Sequence, residues 1–161
     1  MIQKQDLLRN WFLRTAGDWN SERRYLYLKD GQKVKNDLVS TSFSITSDKF
    51  EDSEDIQVII AWESSTEGGE DSGGEMNCTL SGNLLLRNIG YFTEEETSSE
   101  VEAIDYNTIV MTTSYNGCTF REEIRLLAYD TIRLRQTLGF KDGSDVPFLC
   151  GQYFEIRKTN Q

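Results

Sequence analysis

From Trp19 almost to its end, the chain alternates apolar and polar residues with a period of two. Such alternation puts successive side chains on opposite faces of an extended strand, and it constrains the fold more than any other feature here. Strand-like stretches run over 19–28, 38–45, 56–63, 75–82, 83–92, 98–105, 108–115, 119–128, 131–140 and 148–158. Short polar turns such as KDGQ, SYNG, AYD and KDGSD join them. About ten short strands at this spacing predict an all-β fold, either a sandwich or an up-and-down antiparallel barrel. Pro147 is the single proline, so few strands are marked as edges. Before the alternation begins, Leu7, Leu8, Trp11 and Phe12 recur at helical spacing and Gly17 follows as a stop. That pattern predicts one short amphipathic helix over residues 2–16.

The bulk chemistry excludes several functions. At 161 residues the chain suits one domain, 1–161, with the barrel over 19–158. No apolar run approaches a membrane span and no N-terminal stretch reads as a signal peptide, so no membrane partner is expected. Three separated cysteines, Cys78, Cys118 and Cys150, make no disulfide framework and suit a reducing interior. The net charge of −10 argues against nucleic acid, whose phosphates need a basic surface. With no histidine, Ser-His-Asp and Cys-His nucleophiles cannot be assembled, and no CxxC spacing offers a zinc site. Chemistry must therefore run on carboxylates, arginines, tyrosines or a ligand's own reactivity. The carboxylate clusters Glu51–Asp55 and Glu94–Glu96 lack the ligand spacing of a calcium loop, so no metal is expected. The glycine-rich, acidic stretch Ser64–Glu75 reads as a mobile, solvated loop.

Several constellations remain. Gly17-Asp18-Trp19, opening the first strand after a short helix, resembles the barrel-closing motif of calycins, the lipocalin and fatty-acid-binding architecture. There the tryptophan plugs one end against an arginine of the last strand, a role open to Arg157. On the same strand Trp19, Ser21, Arg23 and Tyr25 share one face, which sets Arg23 among aromatic rings. The stretch TIRLRQT puts Arg133 and Arg135 on one strand face. Matching apolar faces with the preceding strand requires an odd loop, such as Tyr129-Asp130-Thr131, and brings Glu123 to the arginine face. A two-residue loop would instead put Glu122 there and set arginine against leucine, a poorer pairing. Two readings compete for this cluster. One is a solvated outer face with ion pairs worth roughly 0.2–1 kcal/mol each. The other is a ligand-facing wall, where the two guanidiniums take carboxylates by forked hydrogen bonds. An acidic chain that binds an anion needs such a local positive site. Trp62 offers either a stacking surface or ordinary core. The cysteines read as small buried hydrophobes.

The segments GDWNSERR, IAWES, LLLRNIGYF, TIVMTTSYN, REEIRLLAYDTIRLR and FLCGQYFEIRK, in that order, resemble the S-type phycobiliprotein lyases, the CpcS/CpeS/CpcU group. The resemblance implies a ten-stranded calycin barrel with an N-terminal helix. It implies a bilin lyase that binds a linear tetrapyrrole, phycocyanobilin or phycoerythrobilin, as substrate without a covalent bond. The bilin is then attached by a thioether to a cysteine of an apo-phycobiliprotein. Residue by residue it implies Arg23, Trp62, Arg133 and Arg135 as bilin-binding and Glu123 as the catalytic carboxylate. It implies a cyanobacterial cytoplasm or a plastid stroma, and a homodimer or a heterodimer with a related lyase subunit. Two positions depart from the family: Glu22 stands where it has glutamine, and the glycine-rich loop replaces its frequent second tryptophan after Trp62. The alternatives are a calycin carrier of a small carboxylate, a non-catalytic assisting subunit of a heteromeric lyase, or a pure scaffold.

Overall fold

The computed structural model describes residues 3–66, 68–69, 71–89 and 95–159. Helix α1 (Lys4–Arg14) precedes ten strands: β1 (Gly17–Lys29), β2 (Gln32–Lys49), β3 (Ile56–Thr66), β4 (Ser72–Ser81), β5 (Leu84–Arg87), β6 (Thr97–Ala103), β7 (Thr108–Tyr115), β8 (Cys118–Leu127), β9 (Ile132–Lys141) and β10 (Leu149–Arg157). Each strand pairs antiparallel with its sequence neighbours, and β1 pairs with β10 through the register Trp19↔Arg157 to Tyr27↔Leu149. The sheet is therefore a closed up-and-down barrel, the second of the two architectures that the alternation allowed. Closure removes the free edges that an open sheet would leave.

Alternate residues of each strand point into the barrel, and one half of its interior is filled. Ile56, Val58, Met76, Leu80, Val101, Ile109, Met111, Ile124 and Leu126 are buried there. Helix α1 covers that end with Leu8, Trp11 and Phe12, spaced three and four residues apart on one face. Polar contacts fasten it to three turns. Arg9 pairs with Glu54 of the β2–β3 turn at 2.8 Å. The Trp11 Nε1–H donates to the Asn107 carbonyl of the β6–β7 turn at 2.8 Å. Arg14 donates to the Asp130 carboxylate of the β8–β9 turn at 2.6 Å.

The corner between α1 and β1 is built as the calycin-like motif anticipates. The Arg157 guanidinium lies 4.4 Å from the Trp19 ring centroid and donates to the carbonyls of Arg14 and Ala16. Gly17 has φ +135, and a Cβ there would collide with Nη1 of Arg157. Only glycine satisfies both the backbone and the space.

Most boundaries shift by a few residues from the sequence expectation, and four shifts stand out. Strand β2 runs over Gln32–Lys49 where 38–45 was expected. The helix is shorter than 2–16. Strand β5 stops at Arg87, because the Asn88 side chain accepts the Asn77 N–H at 2.8 Å in place of a ladder carbonyl; residues 90–92 of the expected strand lie outside the described residues. The glycine-rich stretch is ladder at both ends, with Ser64↔Ser72, Glu63↔Gly73 and Trp62↔Gly74 paired. No described helix is long and apolar enough to cross a membrane.

Candidate functional site

The unfilled half of the barrel holds a hollow of about 160 Å³. Its polar lining follows from strand parity. Inward residues of β1, β10 and β9 align in three rows across the register: Ser21–Glu155–Arg133, Arg23–Tyr153–Arg135 and Tyr25–Gly151–Thr137. Strand β8 adds Glu122 opposite Thr137. Trp62 of β3 and Phe43 of β2, paired with each other, close the opposite side.

These charges are organised into two clusters. Glu155 is fully buried, 3.2 Å from Nε of Arg133 and 3.7 Å from Nη2 of Arg23. Arg133, itself 5% exposed, also donates from Nη1 to the Thr15 hydroxyl at 2.8 Å. Its guanidinium lies 5.4 Å from the ring centroids of both Trp19 and Phe43. Arg135, 7% exposed, donates from Nε to the Glu122 carboxylate at 3.0 Å, and its Nη2 donates to the same oxygen. It stacks 4.6 Å from the centroid of Tyr153, whose hydroxyl pKa burial pushes well up against the opposing charge of Arg135. Arg23 donates to Ser21 at 3.0 Å and is the most accessible of the three.

Neither oxygen of Glu155 receives a well-aligned hydrogen bond among the described residues. A buried carboxylate held by charge alone is costly, and donors arriving on a ligand would relieve it. Three guanidiniums and two carboxylates leave this end of the barrel with net positive charge inside an acidic chain.

Arg23, Trp62, Arg133 and Arg135 thus meet around one hollow, but Glu123 does not join them. It is exposed on the outer face, 3.8 Å from Arg125. The expected odd loop is in fact four residues, 128–131, because Leu127 pairs with Ile132. Ala128, Tyr129 and Asp130 all have positive φ, at 51°, 55° and 62°. Remote groups hold that turn: Arg14 binds the Asp130 carboxylate, and Arg157 donates to its carbonyl at 2.8 Å. The even loop reverses the parity, so Glu122 faces inward and the arginines lie opposite Ile124 and Leu126. Leu134, Phe154 and Ile156 consequently point outward and are exposed.

The expectation also omitted Glu155 and Tyr153 from the site. A signal for both existed, since they share strand parity with Arg157, itself expected against Trp19. Cys78 faces the filled half, and burial raises its thiol pKa from 9.0 to about 11 against the pull of Arg87. All three cysteines are free. Among the described residues no cluster suits a metal ion.

No family model matches the chain. It is 26% identical to "Putative phycocyanobilin lyase CpcS 2" of Nostoc sp. strain PCC 7120, across 91% of this chain and 88% of the relative. It is 24% identical to "Putative chromophore lyase CpcV" of Picosynechococcus sp. strain PCC 7002, across 91% and 79%. Among solved structures, the S-type phycobiliprotein lyase CPES from Guillardia theta superposes with a TM-score of 0.76 at 18% identity, covering 96% of this chain and 94% of that one. A protein of unknown function from Nostoc punctiforme superposes with a TM-score of 0.56 at 15% identity, covering 90% and 48%.

Proposed function

We propose that this chain, a relative of the S-type phycobiliprotein lyases in sequence and in fold, is itself a chromophore lyase acting on a linear tetrapyrrole. The observation that carries the proposal is the buried array Arg23–Glu155–Arg133 and Arg135–Glu122, set opposite Trp62 at one end of the barrel. Phycocyanobilin and phycoerythrobilin are the candidate substrates, and a cysteine of an apo-phycobiliprotein is the acceptor. A cyanobacterial cytoplasm or a plastid stroma is the proposed compartment.

Such a pigment carries two propionates, a row of pyrrole nitrogens and an electrophilic ethylidene. The propionates bind the guanidiniums, as forked carboxylate acceptors. Each arginine already holds a carboxylate, so binding is an exchange. Glu122 and Glu155 are released from part of their pairing and accept hydrogen bonds from pyrrole N–H groups. The charge count supports this. One net positive charge meets two propionates, and a proton on the tetrapyrrole restores neutrality. Opposite charge beside the pigment raises its pKa and favours that protonated, more electrophilic form. Trp62 covers a ring face.

The reaction adds the acceptor thiol across the ethylidene double bond. One C–S bond forms, the S–H bond breaks, and the proton ends on the tetrapyrrole, so neither oxidant nor leaving group is needed. The protein supplies orientation and protection from solvent. Ligand pockets for drug-sized molecules occupy about 300–1,000 Å³. The hollow of about 160 Å³ therefore takes only part of the pigment, and the remainder lies exposed to an acceptor.

Mixing the purified protein with each bilin should give an intense, red-shifted absorbance, and adding apo-subunits should give a fluorescent adduct that survives denaturation. Arg23→Gln is the cleanest probe, because Glu155 keeps Arg133; it should weaken binding while leaving the fold intact. No spectral change with either bilin rejects the reading. The modest hollow favours one competing reading, a carrier of a smaller carboxylate. Bound pigment that no apo-subunit removes would support the carrier or an assisting subunit.

A further inference from the structure

The shape of the hollow depends at one wall on a side chain that is absent. Trp62 on β3 stands opposite Gly74 on β4, and its indole lies across that glycine. A Cβ on Gly74 would sit 2.8 Å from Cζ2, 3.1 Å from Cη2 and 3.3 Å from Cε2 of the ring. Carbon atoms in good contact lie about 3.5–4.0 Å apart, so no side chain fits beneath the indole where it now rests. Gly74 does not have a positive φ. Backbone freedom is therefore not what suits glycine to this position; the space is.

We propose that Gly74 is a positioning residue for Trp62. Its missing side chain lets the indole lie flat against β4, and this sets the width of the slot between Trp62 and the Arg135–Tyr153 wall. A flat, conjugated ligand is admitted only while the ring stays back. The inference rests on the ligand reading above. A methyl group at position 74 drives the indole off β4, and the hollow is the space open to it. Because that hollow is only about 160 Å³, a displaced indole takes a large share of the room a pyrrole ring needs. Gly74, inside the stretch that read as a loop in the sequence, thus backs the binding wall through Trp62.

The test uses Gly74→Ala, Trp62→Phe and the double variant. Phenylalanine lacks the Cζ2 and Cη2 atoms that meet the new methyl, so the cycle isolates the contact. Two readouts are taken: absorbance titration with phycocyanobilin and phycoerythrobilin, and acrylamide quenching of tryptophan fluorescence without ligand. Trp11 and Trp19 are 2% and 0% exposed, so the quenchable signal belongs to Trp62.

Gly74→Ala should bind bilin about tenfold or more weakly, from the cost of overpacking, and should alter the bound spectrum and the quenching. In the Trp62→Phe background the same change should add little, and any loss of folding by Gly74→Ala should be rescued there. Unchanged affinity and quenching in Gly74→Ala would overturn the proposal. So would an equal loss with and without the indole. If the unaltered protein binds neither bilin, the functional reading fails on its own, and quenching alone decides the role of Gly74.

Discussion

Glu122 and Glu123 are adjacent in sequence and opposite in consequence. One lies under Arg135 with its charge committed to a buried pair; the other sits in solvent beside Arg125. Glu122→Gln should lower the intensity and red shift of bound bilin, because the neutral amide no longer favours a protonated pigment. Glu123→Gln should leave both unchanged, and absorbance titration of the two variants checks this. Removing Arg135 is a harsher change. Arg135→Ala strands Glu122 in the interior and should cost about 3–5 kcal/mol of stability, readable by denaturant unfolding. Replacing both partners by apolar residues should recover much of that loss. Cys78 gives a pH signature. Its folded pKa is raised, so the protonated thiol is the form the fold favours. That contribution is intact below the unfolded value of 9.0 and is lost as pH rises toward about 11. Stability should fall across that window, with burial of Tyr27 and Tyr153 adding to the decline in the same direction. Cys78→Ala should make the fall shallower, as measured by unfolding midpoints at both ends of the window.

Among the elements, parity was the legible quantity and loop geometry the illegible one. Strict alternation located all ten strands. It grouped Arg133 with Arg135, and Arg23 with Trp19 and Tyr25, but left open whether those faces look inward. It failed in relating β8 to β9, where a one-residue difference in the turn exchanges Glu122 for Glu123. Nothing in Ala128-Tyr129-Asp130 announces three consecutive left-handed residues. Their conformation is held by Arg14 of α1 and Arg157 of β10, over a hundred and over twenty residues away respectively. The sheet pattern also misled, because pairing apolar with apolar is sound for an open hairpin. A barrel with a polar hollow instead leaves Leu134, Phe154 and Ile156 outside. The Gly17 corner was readable through its resemblance to the calycin barrel-closing motif; its steric reason appears only in the structure. Gly17→Ala should destabilise the fold by at least about 1–3 kcal/mol from backbone strain, before the collision with Arg157 is counted. A denaturant midpoint measures it.

For the whole molecule, the contrast is between a net charge of −10 and an interior rich in guanidinium. A dianionic pigment approaching from a distance meets repulsion, and only at the last stage meets attraction. Added salt screens the long-range part most, since the Debye length is about 10 Å at 0.1 M. Stopped-flow association with bilin should therefore quicken as salt is raised from low values, the reverse of what a basic surface produces. The seal that α1 makes bears on the order of events. With Trp11 and Phe12 corking one end and three turns bolted to the helix, a guest that enters must back out through the same doorway. Under the proposed function, delivery and reloading would then share a single threshold, and the receiving protein would stand where the passenger came in.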